Sequence, residues 1–241
     1  MTARPTTALR ALGSFLSAGL LLFCFYGQAP AGEALAQLME QLSAPARQLP
    51  VPPLPPRRHA RPDYSYIDPG HIVPARPLAA ALSYYQANLA AIGNPRYLSV
   101  IDYTRHANEK RFFIVDMKTG AVETFLVAHG RGSDPDHTGY AGFFSNQEGS
   151  LATSLGFFLT GATYIGENGY SLVLYGKSES NSNAFTRYIV IHGASYVDPA
   201  NVPLGRSWGC PAVELGVRDR LIDMLKGGSV IYSWHKKFSS K

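Results

Sequence analysis

Charge is scarce in this chain, and so is sulfur. Lys, Arg, Asp and Glu make up only 16% of 241 residues, against 46% hydrophobic, and there are two cysteines. So low a charged fraction excludes a coiled coil, and the hydrophobic share excludes wholesale disorder. No run of Lys or Arg is long enough to follow a phosphate backbone. The one tight cluster, Arg57-Arg58 with Arg61, stands among prolines, so the net charge of +5 does not point to nucleic acid. No internal repeat is present. The length suits one domain with a sizeable core plus appendages.

The missing charges are most conspicuous from residue 11 to 26, an apolar stretch preceded by Arg4 and Arg10 and followed by Ala29-Pro30-Ala31. A basic start, an apolar run and small residues at the cleavage positions predict an export signal over 1–31. The rival is an uncleaved membrane anchor, since the run is only a little shorter than the roughly 20 residues of a spanning helix. Either way the functional part lies outside the cytoplasm, in the periplasm or cell envelope. Cleavage removes Cys24 and leaves Cys210 without an intramolecular disulfide partner; losing Arg4 and Arg10 also lowers the net charge to +3. Residues 32–49 could form a short amphipathic helix. Ten prolines between 45 and 77 then exclude regular structure, so 32–75 is expected to be a leader and extended linker, with the domain spanning 76–241.

Within the domain, Leu78, Leu82, Tyr85, Leu89 and Ile92 recur at helical spacing before Gly93-Asn94-Pro95, which predicts a helix with a stop. The period then changes. Segments 97–103, 111–116 and 122–128 are rich in aromatic and β-branched residues, and Lys118-Thr119-Gly120 separates the last two as a hairpin turn would. Eleven of the 23 glycines fall between 120 and 176, interleaved with aromatics. Strands are expected over 172–175, 187–191 and 229–234, and a helix over 217–225. The pattern predicts a mainly β (α+β) single domain with a preceding helix and one helix after the loop that carries Cys210.

Two groups can carry chemistry. His192-Gly193 ends the apolar run 187–191, where a rigid strand would hold an imidazole facing a loop, as a general base requires. Ser207-Trp208-Gly209-Cys210 precedes Pro211, so the backbone turns sharply at the thiol. The N–H groups of Trp208, Gly209 and Cys210 could converge there as an oxyanion hole. Proline favours the first position of a helical turn, so Cys210 is expected at a helical cap that lowers its pKa. A thiolate paired with His192 would be a nucleophile; the alternative is a packed Cys and a satisfied His.

The run IVIHGASYVDPANVPLGRSWGCPAV, with His192 and Cys210 18 residues apart, resembles the signature of the L,D-transpeptidase (YkuD-like) catalytic domains, in the subfamily where Gly-Cys is followed by Pro-Ala. VAHGRGSD (127–134), the block 143–176 and Asn183 extend the resemblance over roughly 96–235. It implies a β-rich fold and a cysteine acyltransferase acting on peptidoglycan stem peptides, with no cofactor or metal. Cys210 would be the nucleophile, His192 the base and the Gly193 carbonyl the group that orients the imidazole. Ser207, Trp208 and Gly209 would line the oxyanion loop. The thiolate would attack the carbonyl of the third stem residue and expel D-alanine. A neighbouring stem amine would then resolve the thioester as a 3→3 cross-link.

Two positions depart from the family pattern. Trp208 stands where many members have His or another polar residue, and Ala212 where many have Arg, which puts recognition of a substrate carboxylate onto another residue such as Arg206. His129, Ser145, Asn146 and Ser154 are further candidates for substrate contact. Three alternatives remain: a hydrolytic L,D-carboxypeptidase or endopeptidase using the same Cys, a zinc cell-wall peptidase with His129, Asp136 and His192 as ligands, and a non-catalytic murein-binding domain.

Overall fold

The computed structural model describes residues 63–237. The signal-like segment 1–31 with Cys24, the stretch 32–49 and most of the Pro-rich linker lie outside the described residues. Among the described residues no helix is long and apolar enough to cross a membrane.

Helix α1 (Ala75–Ala87) precedes the strands β1 (Tyr97–Asp102), β2 (Phe112–Asp116), β3 (Val122–Phe125), β4 (Gly156–Gly166), β5 (Gly169–Gly176), β6 (Val190–Gly193), β7 (Ala212–Val213) and β8 (Val230–Trp234). Helix α2 (Leu215–Leu225) lies between the last two. The strands form one sheet in the order β3-β2-β1-β8-β4-β5-β6-β7. Its pairs are antiparallel except β1–β8 and β6–β7. The strand expected over 122–128 ends at Phe125 because the chain there leaves β2 and crosses to the other edge. Ala128 N–H donates to the Ala212 carbonyl at 2.8 Å, and Gly130 bridges Ser207. The sheet therefore curls almost into a barrel, the β-rich architecture that the sequence predicts.

Side chains of the central strands alternate between two cores, as a period of two dictates. Leu98, Val100, Phe113, Val115, Val230 and Tyr232 pack toward α1. Ile101, Phe112, Ile114 and Ile231 face inward with Leu172, Ile191 and the α2 residues Leu221, Ile222 and Leu225. Each such burial contributes roughly 1.5–3 kcal/mol. Tyr84 of α1, Phe157 and Tyr232 form a continuous stack, with ring centroids 4.0 and 4.2 Å apart.

Three expectations need correction. Residues 63–75 are not a linker. Ile67 and Val73 are buried in the α1-side core, and Asp68 binds the Gly120 carbonyl through its N–H and the Ile72 and Val73 N–H groups through its carboxylate. A Pro-rich segment needs no ladder to be fixed; buried side chains and an Asp-centred turn suffice. The helix predicted to reach Ile92 stops at Ala87, and Leu89, in a short 3-10 turn, is 48% exposed. The strand expected from Arg187 begins instead at Val190. Arg187 and Tyr188 sit in a turn, closed by Ile189 N–H donating to the Ala184 carbonyl at 2.9 Å, and Tyr188 takes φ +55°.

Candidate active site

His192 is buried on β6, between Ser171 on β5 and Ala212 on β7. Two residues before Ala212 stands Cys210, so the parallel β6–β7 register brings the His192 and Cys210 segments side by side. The His192 Nδ1 lies 3.0 Å from the Gly193 carbonyl. A carbonyl only accepts, so Nδ1 carries the proton and Nε2 keeps the lone pair. Burial holds the imidazole below its ordinary pKa, partly opposed by the Gly193 bond. It is neutral at pH 7 and ready to take a proton.

The half-buried Cys210 thiol donates to the Tyr188 carbonyl at 3.5 Å. Among the described residues no hydrogen bond joins it to the His192 ring. Burial pushes the thiol pKa up, against the Val190 N–H and the positive charge of Arg187, which pull it down. The expected helical cap is absent. Pro211 leads into β7, and α2 begins only at Leu215, so no helix dipole favours the thiolate. Tyr103 and Tyr196 stand near enough to feel the Cys210 charge, and burial pushes both phenols up to about 12.

The loop before Cys210 is tied at several points. Ser207 N–H donates to the His129 carbonyl at 2.9 Å, and Arg131 N–H to the Ser207 carbonyl at 2.8 Å. The Ser207 hydroxyl donates to the Cys210 carbonyl at 2.6 Å and accepts from Gly209 N–H at 3.1 Å. Ser207 is therefore a buried staple of the turn rather than a group presented to a ligand. Gly209 N–H, expected in an oxyanion hole, is already used. Among the described residues the N–H groups of Trp208 and Cys210 have no partner. Gly209 sits at φ +124°, where a side chain is strained, and a Cβ would lie 2.9 Å from the Ala152 carbonyl oxygen. At Gly130 a Cβ would lie 2.3 Å from the Leu151 carbonyl oxygen, so only glycine lets these strands of backbone meet.

Of the remaining candidates, His129 and Ser154 are buried, and Ser145, Asn146 and Arg206 are half-buried and bonded to neighbouring loops. His129 is 1% exposed; Arg111 Nη2 donates to its Nδ1 at 2.8 Å, and its Nε2 donates to Asp134 at 3.2 Å. Because guanidinium only donates, His129 is neutral, and burial beside Arg111 drives its pKa down to about 3. Both ring nitrogens are thus taken by partners inside the fold, and the carboxylate it meets is that of Asp134 rather than Asp136. Among the described residues no three His, Cys, Asp or Glu side chains are arranged to hold a metal ion. Asn146 brackets the 179–183 turn, donating to the Glu179 carbonyl and Ser182 hydroxyl and accepting from Asn183 N–H. The Ser145 hydroxyl accepts from Gln147 N–H. Ser154 is buried at 2% exposure under the loop with its hydroxyl unpartnered. Arg206 donates to the carbonyls of Asp134 and Pro135, the latter at 3.0 Å, and so is a loop clamp.

Several residues that matter here escape a reading of the sequence. Arg187 donates to the carbonyls of Ser145 and Ala152, both at 2.8 Å, and to the Ser150 hydroxyl at 3.2 Å. It thereby folds the 145–152 loop against the thiol. Tyr188, 80% exposed, and Trp208, 73% exposed, flank an open groove also lined by Glu148, Leu151 and Arg187. A lone Arg at the head of an apolar run was a signal; nothing signalled the turned-out Tyr188.

The family model of the L,D-transpeptidase catalytic domain matches residues 72–234. Among solved structures, the chain is similar to an L,D-transpeptidase from Mycobacterium smegmatis at 14% identity, covering 58% of each chain with a TM-score of 0.36. It is also similar to the helical cell shape determining protein Pgp2 from Campylobacter jejuni at 12% identity, covering 66% of this chain and 57% of that one, TM-score 0.37. A third, an L,D-transpeptidase from Xylanimonas cellulosilytica, shows 17% identity over 63% of this chain and 69% of that one, TM-score 0.34. The match spans less than two thirds of the first two of these chains. No curated protein matches.

Proposed function

The chain belongs to the L,D-transpeptidase catalytic domain family, and from that premise we propose that it is an exported cysteine acyltransferase acting on peptidoglycan stem peptides in the periplasm or cell envelope. The observation that carries the proposal is the 3.0 Å bond from His192 Nδ1 to the Gly193 carbonyl, because it leaves Nε2 as the base on a buried, neutral ring. In the resting protein the thiol is protonated, so ionisation accompanies attack rather than preceding it.

As the sulfur adds to the carbonyl carbon of the third stem residue, its proton passes to His192 Nε2. The oxyanion that forms takes the N–H groups of Trp208 and Cys210, which have no other partner among the described residues. Collapse breaks the peptide C–N bond, Nε2 returns the proton to the departing amine, and D-alanine leaves a thioester on Cys210. The amine of a neighbouring stem then attacks the thioester and gives its proton to Nε2. The thiol is released and a 3→3 cross-link remains. Water in place of that amine would make the product a free carboxylate, the carboxypeptidase or endopeptidase outcome.

Incubating the full chain with tetrapeptide-stem muropeptides and following products by mass spectrometry tests this. D-alanine release, an acyl adduct on Cys210 and a cross-linked dimer are expected. Cys210→Ala should abolish all three, and His192→Ala should slow release on the order of 10³-fold. Release that persists in Cys210→Ala would remove the proposal, and tripeptide without dimer would replace transfer by hydrolysis.

A further inference from the structure

We infer that the Arg131 guanidinium, lying over the Trp208 ring beside the Cys210 loop, is the binding site for the terminal carboxylate of the donor peptide; the inference rests on the stem-peptide proposal above. Arginine is suited to this because its planar fork meets a carboxylate with two parallel hydrogen bonds. Nearly every described arginine is already committed. Arg96, Arg105, Arg218 and Arg220 pair with carboxylates. Arg111, Arg187 and Arg206 donate to carbonyls of the fold, so each of these guanidinium groups is tethered to backbone. Among the described residues only Arg76 and Arg131 have guanidinium groups with no hydrogen-bonded partner, and Arg76 stands on α1.

The position of Arg131 is fixed by the same loop that presents the thiol. Its N–H donates to the Ser207 carbonyl at 2.8 Å, and the Ser207 hydroxyl is bonded to the Cys210 carbonyl. Its guanidinium carbon lies 5.8 Å from the centroid of the Trp208 ring, two residues from Cys210. Trp208 is 73% exposed, so its ring is not spent on core packing. It gives the guanidinium a cation–π partner and takes none of its hydrogen-bond donors. A peptide whose scissile carbonyl meets Sγ carries its terminal carboxylate one residue further on, roughly 3–4 Å along the chain, and that carboxylate is assigned to this fork.

Binding without turnover isolates the contact. In full-chain Cys210→Ala protein, titration calorimetry is run with a tetrapeptide stem ending in a free carboxylate and with the same peptide as its C-terminal carboxamide. The free acid should bind about tenfold more tightly, the lower end expected for a charge-assisted pair at an exposed site. In Cys210→Ala/Arg131→Gln the two peptides should bind equally, and Arg131→Lys should retain part of the preference. Equal binding of the two peptides to Cys210→Ala, no binding of either, or an acid preference that survives Arg131→Gln would each overturn the inference. D-alanine release by the wild-type chain is scored separately and decides the acyltransfer proposal on its own.

Discussion

Acid titration reads the buried Arg111–His129–Asp134 cluster directly. The fold keeps His129 neutral down to about pH 3, against an ordinary value of 6.5. Between those limits the unfolded chain binds a proton that the native state refuses. Unfolding free energy therefore falls as pH drops, and the His129 contribution is intact only above about 6.5. The ring is 1% exposed, so water does not screen the effect. At about 1.36 kcal/mol per pH unit, going from pH 7 to pH 4 removes about 3 kcal/mol through this group. That is a sizeable share of the roughly 5–15 kcal/mol that holds a domain together. His192 and His235 are also held low by burial, so the wild-type slope exceeds the His129 share, and a variant is needed to isolate it. His129→Gln keeps an acceptor for Arg111 and a donor for Asp134 but cannot titrate. Urea unfolding of both proteins at pH 7, 6, 5 and 4 should show the variant losing about 3 kcal/mol less across the series. Equal slopes would refute the assignment of a buried neutral imidazole. Because the His129 carbonyl also holds Ser207 N–H, wild-type D-alanine release should fall at the acid end, where the cluster opens, and return when the pH is restored.

Two further predictions concern the loop. Arg187 is the positive charge that opposes burial at the thiol, so Arg187→Gln should move the pH midpoint of Cys210 alkylation upward and Arg187→Lys should move it less; an unchanged midpoint in Arg187→Gln would separate the two groups electrostatically. Gly209→Ala places a Cβ 2.9 Å from the Ala152 oxygen at φ +124°, which should cost roughly 2 kcal/mol or more and, by shifting the neighbouring amides, about 10²-fold in D-alanine release; thermal melting and release assays that match wild type would exclude a strained turn.

How far the sequence reaches depends on whether a feature is local. Periodicity located α1, α2 and the strands β1, β2, β3 and β8 to within a few residues, because side-chain alternation follows from burial on one or two faces. It missed the longest strand, β4, whose Gly156, Gly161 and Gly166 break the alternation, and whose register shifts between Thr160 and Thr163. It also treated residues 63–75 as linker, since proline content says nothing about whether neighbouring side chains find a core.

At the site, the placing of His192 at the end of an apolar run and of Cys210 at a turn before Pro211 was legible, and the resemblance implied their pairing. The electrostatics were not. Whether the thiol pKa rises or falls depends first on its burial and then on Val190 and Arg187, which the fold brings to it, and on the helix that Pro211 does not begin. His129 looked like a ligand in one dimension and became the hinge of a buried network in three, since only the fold brought Arg111 and Asp134 to its two nitrogens. Residue chemistry is written in the chain; solvation and the partners that a charge finds are set by packing, and those decide what each group can do.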